Sequence, residues 1–357
     1  MAKTKSPCAV PVEVVFAPDW WHAHYGVEFD EPFYFDRDAR IENDVVMRRA
    51  LYKRFGLGEA NPQKRPVIGS LQVAGGFVAA ALLGVEIRFS KAAAPWPVTQ
   101  DMSREQILAL RPPDISNTWP LNQLIRDMDS LEREFGYVVG DLNTEGILDN
   151  ALSLRGQALF LDLVEDPELV QHLLSVVTET QWRVAELLRR RTGTTSISAN
   201  RGIVHVDPGI YLHPNCSVQM ISPSTYERYL FPYEQQLAQR LAPYGIHHCG
   251  NNLHRFAGIY GRLPLVFCDV GWGSDVRKCR ELLPQAFLNL RVSPVRMLQQ
   301  SAEQVRRDAL ELLAQAHPGK AGLCCINMDA ATPDENVLAL IDVGRAGLPP
   351  EFPRAIN

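Results

Sequence analysis

The sequence predicts an α/β fold, a (β/α)8 TIM barrel behind an N-terminal arm, and three observations carry the prediction. Beyond residue 65, short apolar runs alternate with amphipathic helical segments, and eight such runs occur. Each run ends in polar residues, as strands do when they open onto the mouth of a barrel. The chain of 357 residues has the length of one large α/β domain and shows no self-similarity at solenoid periods.

Taken in order, residues 1–65 form the arm. Its first part, "FAPDWWHAHYGVEFDEPFYFDRDAR", is dense in aromatics and charges without a regular period, and a helix, "ENDVVMRRALYKRFG", follows. Residues 66–357 form the barrel domain, its first strand beginning at the boundary. The strands read "RPVIGSLQ", "GYVVGDLN", "TSISANRG", "IVHVDPGIYLH", "YGIHHCGNN", "LPLVFCDVG", "AFLNLRVSP" and "AGLCCINMD". Between them, "EDPELVQHLLSVVTETQWRVAELLRRR" starts with Asp166 as cap and Pro167 in the first turn. "SPSTYERYLFPYEQQLAQRLAPYG" starts in the same way at Ser222 and Pro223 and runs to Gly245. "SAEQVRRDALELLAQA" and "TPDENVLALIDVG" complete the set.

The formal net charge of -5 argues against a nucleic-acid partner, which selects for a basic face. No apolar run has the length of a signal peptide or a membrane span, so a cytoplasmic protein is expected. The seven cysteines are odd in number and sit mostly in strand-like or helical segments, which favours burial or metal binding over disulfides.

The strand-end residues are Asp141, Asn143, Asn200, His213, Asn215, His247, Cys249, Asp269, Arg291, Asn327 and Asp329. Among them "GIHHCGNN" is the most telling. Alternation along a strand puts His247 and Cys249 on one face and His248 on the other, and His-x-Cys on one face is a chelate in need of a third ligand. "LCCINMD" offers it. Counted with Asn327 and Asp329, the inward cysteine is Cys325, with Cys324 as the alternative if the register differs. One imidazole and two thiolates form a soft set that suits zinc, or another divalent transition metal such as cobalt, and leaves a position open for substrate. Asp269 and Asp329 are the candidate catalytic groups, and Asn215, Asn251 and Arg291 the candidate substrate contacts. In "DWWHAHYG" the aromatics are expected to pack across a barrel mouth or a subunit interface, or, as Trp20, Trp21 and Tyr25, to close over a planar substrate, while His22 and His24 form a weaker metal candidate.

"IHHCGNN" and "TPDENVLAL", together with "EDPELVQHLL", "MISPSTYERYLFPY", "DVGWGSD" and "RVSP" in that order, resemble the uroporphyrinogen decarboxylase superfamily. The resemblance implies its TIM barrel and covers most of residues 65–345. Its closest motifs are those of the zinc-dependent, corrinoid-linked methyltransferase branch, where the ligands map onto His247, Cys249 and Cys325. It implies methyl transfer or demethylation of a small O-, N- or S-methyl compound, with corrinoid on a partner protein or a thiol as acceptor; a homodimer is compatible with it. Two alternatives are a decarboxylase, for which Arg291 and Arg201 are the candidate arginines, and a non-catalytic corrinoid-binding or ligand-binding barrel.

Overall fold

The computed structural model describes residues 10–69, 76–140, 142–194, 207 and 209–347. Its strands are β1 (Val12–Phe16), β2 (Val67–Ile68), β3 (Ile87–Ser90), β4 (Ala93–Pro97), β5 (Val139–Gly140), β6 (Tyr211–Pro214), β7 (Tyr244–His248), β8 (Leu265–Val270), β9 (Phe287–Arg291) and β10 (Ala321–Met328). Six of them form one parallel sheet in the order β1-β10-β9-β8-β7-β6. Parallel neighbours require crossover connections, and helices supply those between the consecutive strands from β6 to β10. β2 and β5 form a separate parallel pair, and β3 and β4 an antiparallel hairpin.

The sheet curls. Val15 from one edge strand and Leu212 from the other belong to a single apolar cluster with Phe267, Cys324 and Ile326 on the concave face. The larger core lies between the convex face and the helices. The strand-helix alternation predicts a full (β/α)8 barrel; the described residues show a curled parallel half-barrel of six strands, one of which, β1, comes from the expected arm. Among the described residues no pairing joins the six-stranded sheet to β2-β5, and the expected strand at 195–202 lies outside them. No helix among the described residues is long and apolar enough to cross a membrane.

Local signals explain the helices. Asp166 accepts from Leu169 N at 3.2 Å and Pro167 opens the helix Pro167–Thr192, which ends at Gly193 with φ 70°. Ser301 and Gln304 form a reciprocal cap on Ala302–Ala316. The helix expected from Ser222 to Gly245 is instead two, Pro223–Tyr229 and Phe231–Arg240, because Pro232 cannot donate to the preceding turn and starts a new helix. Gly245 belongs to β7, where an added Cβ would meet Leu212 Cδ1 at 3.1 Å.

The arm is more deeply integrated than its irregular composition suggests. β1 pairs in parallel with β10 and so forms one edge of the main sheet. Trp20 stacks on Phe16 with ring centroids 3.9 Å apart, and Trp21 meets Trp20 edge-on. Both tryptophans are fully buried, so the expected aromatic cover over a substrate is instead a piece of core behind β1. His22 and His24 bond the carbonyls of Val27 and Ala330 and do not converge. Trp20→Ala should therefore cost about 3–5 kcal/mol. Denaturant unfolding measures this, and a loss below about 1 kcal/mol would show that the arm is no part of the core.

Candidate functional site

Parallel register sets the site. Pro214, His247, Asp269 and Asn289 are paired positions in four neighbouring strands, so the side chains of the last three lie side by side on the concave face. His247 Nδ1 is hydrogen-bonded to Asp269 Oδ2, whose other oxygen accepts from Asn289 Nδ2 at 3.1 Å and from Cys324 Sγ at 3.5 Å. With Nδ1 held, Nε2 is the nitrogen left to act outward. His248, on the opposite parity, is buried against Tyr260 and Asn252.

The two chains leaving β6 and β7 bring sulfur to the imidazole. Cys249 is the first residue past β7 and Cys216 the second past β6. The ligand atoms of Cys216, His247 and Cys249 all lie within 4.8 Å of one another. Arg291 Nη1 donates to Cys249 Sγ at 3.2 Å and lies 3.4 Å from His247 Nε2. A second group, Glu145, Asp149 and Cys216, also has its ligand atoms within 4.8 Å of one another and shares the Cys216 sulfur.

The charges are tightly coupled. A hydrogen bond from Cys216, with His247 and Arg291 nearby, outweighs burial and pushes the Cys249 thiol down to about 2. Cys216, which holds the shared proton, is raised. Burial works against the His247 imidazolium, but the Cys249 and Asp269 charges overcome it and bring His247 up to about 9. Burial and the neighbouring Asp149 push Glu145 up to about 8, and burial raises Asp149. Asp149 Oδ1 takes the Ser217 hydroxyl at 2.5 Å, while its Oδ2 is buried without a partner.

Several expected site residues stand elsewhere. Cys325 is not in the cluster: it faces the helix-side core, and Cys324 faces the concave side beside Asp269. The parity counted back from Asp329 fails because Asn327 has φ 60° and the β1-β10 register skips it, pairing Val15 with Ile326 and Phe16 with Met328. Asp329 is exposed and its Oδ1 accepts from Ala331 N at 2.8 Å, so it shapes the turn before the last helix. Asn251 is exposed beyond the strand end. Asn215 turns away from the cluster, donating to Glu234 Oε1 at 3.0 Å and to Tyr260 Oη at 3.2 Å. Trp21 is core, as described above. Asp269 and Arg291 do touch the cluster, Arg291 on the ligand atoms themselves. Asp141, Asn200 and Arg201 lie outside the described residues.

Sequence reasoning missed Cys216, Glu145 and Asp149. Cys216 carried a signal in "YLHPNCS", since it follows the strand end that had already drawn attention to His213 and Asn215. Glu145 and Asp149 follow β5 in "NTEGILDN", but a strand of two residues leaves little periodicity to mark its end.

A curled parallel sheet with imidazole, thiols and carboxyls gathered where its strands end defines a barrel-type α/β protein with its chemistry at the mouth. The chain belongs to the uroporphyrinogen decarboxylase (URO-D) family, whose profile matches residues 75–346. Among solved structures it is similar to a methyltransferase from Methanosarcina mazei, with a TM-score of 0.65 at 17% identity, covering 94% of this chain and 93% of that one. It is also similar to a B12-independent methionine synthase from Shewanella sp. W3-18-1 in complex with selenomethionine, with a TM-score of 0.51 at 10% identity, covering 94% and 97%. No curated protein matches it.

Two outcomes are expected. Iodoacetamide should alkylate Cys249 of the metal-free protein at a rate nearly flat from about pH 4 to about pH 8, because the thiolate is present throughout. In Cys216→Ser the rate should fall toward the acid end; an ordinary thiol profile in the unmutated protein would contradict the coupling. The second concerns Glu234, which burial holds up to about 7 against an ordinary 4.5. The folded chain keeps a proton that the unfolded chain loses, so this group's contribution to stability declines as pH rises from about 4.5 to about 7, by about 3 kcal/mol. Unfolding across that range should show Glu234→Gln with a correspondingly flatter profile, and an unchanged slope would contradict it.

Proposed function

We propose that the protein is a metal-dependent methyltransferase or demethylase acting on a small O-, N- or S-methyl compound. The observation that carries the reading is the convergence of two sulfurs and one imidazole nitrogen within 4.8 Å at the sheet's C-terminal end. The donor set fits zinc, or a similar divalent metal such as cobalt: it is soft, and the imidazole has its other nitrogen on a carboxylate. Cys216, His247 and Cys249 would hold the ion, in place of the set that included Cys325. When bound, zinc supplies a Lewis-acid centre that keeps a thiol as thiolate or draws charge from a methyl-bearing oxygen or nitrogen.

The chain's own residues do the rest. Asp269 fixes the His247 ring, and Asn289 fixes Asp269. Arg291 offsets the charge on Cys249 and can orient an electronegative substrate atom beside it. Glu145, protonated at neutral pH and close to Cys216, holds a proton for a departing oxygen or nitrogen. The methyl acceptor is corrinoid carried by a partner protein, or a thiol. The fold likeness to a methyltransferase and a methionine synthase supports this reading over decarboxylation. A decarboxylase would call on clustered arginines, and among the described residues Arg291 is the arginine that touches the cluster.

The test is metal content followed by methyl release. The purified protein should carry about one zinc per chain. Cys216→Ser should lose it and Cys325→Ser should keep it. Methyl release from candidate O-, N- and S-methyl compounds, with and without free cob(I)alamin, should follow the metal. A protein that takes up no metal, or loses it on Cys325→Ser but not on Cys216→Ser, would overturn the assignment.

A further inference from the structure

Behind the cluster lies a buried polar chain that none of the roles above uses. Glu234 Oε1 accepts from Asn215 Nδ2 at 3.0 Å, and the same amide donates to Tyr260 Oη at 3.2 Å. Tyr260 Oη lies 2.9 Å from His248 Nδ1, and His248 Nε2 lies 3.0 Å from Asn252 Oδ1. An amide oxygen only accepts, so Nε2 carries the proton and donates; in the neutral ring Nδ1 then accepts from the Tyr260 hydroxyl. Glu234, Tyr260 and His248 are 0% exposed and Asn215 is 2% exposed, so water does not compete for these bonds.

The chain's two anchoring points are telling. Asn215 precedes Cys216, and His248 sits between His247 and Cys249. The backbone also ties them, with Asn215 N donating to His247 O at 2.7 Å. Glu234 and Tyr260 come from the helices Phe231–Arg240 and Ala257–Tyr260, and they reach β7 at Tyr244 Oη and His248 Nδ1. Cys216 and Cys249 stand just past their strands, one and two residues beyond the backbone bond that ties Asn215 to His247. Something else must hold the two loops in register. We propose that Tyr260, with Asn215 and His248, is a positioning device that fixes the separation of the Cys216 sulfur from His247 and Cys249. It rests on the metal-site reading for its purpose, but the spacing it sets is a property of the metal-free chain.

The experiment uses Tyr260→Phe, which keeps the ring and removes only the shared hydroxyl, and Asn215→Ala, which cuts the chain beside Cys216. Tyr229→Phe is the control, since that buried hydroxyl donates to the Leu163 carbonyl at 2.7 Å and has no part in the chain. Phenylarsine oxide, which closes a ring on two neighbouring thiols, reports the sulfur spacing without metal, and Cys216→Ser identifies the pair it bridges. Zinc affinity by chelator competition and the thiolate-to-metal absorption of the Co(II)-loaded protein report the assembled site. Near-UV circular dichroism checks the fold, and either variant that keeps it decides.

The expected result is weaker arsenical capture, zinc affinity down by about 10–100-fold and an altered cobalt spectrum in Tyr260→Phe and Asn215→Ala, with Tyr229→Phe unchanged. Capture and affinity equal to the unmutated chain would overturn the proposal, as would failure of the unmutated chain to bind the arsenical through Cys216. If the unmutated chain captures the arsenical but no zinc, and Tyr260→Phe weakens capture, the positioning role stands and the metal reading falls.

Discussion

The hydrogen bond between His247 Nδ1 and the Asp269 carboxylate is the contact around which the site is organised. It exists because β7 and β8 run parallel in a register that sets those two positions opposite each other. It determines which imidazole nitrogen faces the mouth and places a negative charge deep in the concave face. A buried carboxylate is costly unless its lone pairs are used, and the Asn289 amide and Cys324 thiol use them. Asn289 belongs to the same layer one strand further on, so the sheet that creates the charge also supplies its partners.

From there the charges build outward. Arg291 leans across from β9 to Cys249, and the Cys216 proton bridges to the same sulfur, so a thiolate persists where an isolated buried thiol would stay protonated. Cys268, Cys324 and Cys325, without such an arrangement, are all raised by burial. Cys249, which is only partly buried, thus differs from these three by its neighbours as well as by depth. Glu145 and Asp149 add two carboxyls beside Cys216, and burial raises both, Glu145 to about 8.

How far the sequence could be read depended on regularity. On β7 strict alternation holds to the last residue, so His247 inward and His248 outward followed from the pattern of "YGIHH". On β10 the same rule chose the wrong cysteine, because Asn327 in a left-handed conformation shifts the parity of everything counted through it. The aromatic arm misled in another way. "FAPDWWHAHYG" has no period, and nothing local distinguishes a tryptophan that covers a ligand from one that covers a strand.

The sequence by itself determined the strand-helix alternation, the parallel class of sheet that this alternation requires, the helix starts at Asp166 and Ser301, and the inward direction of His247 at the end of its strand. Each is a matter of spacing along the chain, where side-chain direction follows from backbone period. Only the tertiary structure decided that Cys216 is the second sulfur, that Asp269 orients the imidazole, that β1 closes one edge of the sheet and that Asn215 faces helices instead of the mouth. Those choices depend on inter-strand register and on which loops meet past the strand ends. Both are set by packing between segments distant in the chain, for which no local period exists.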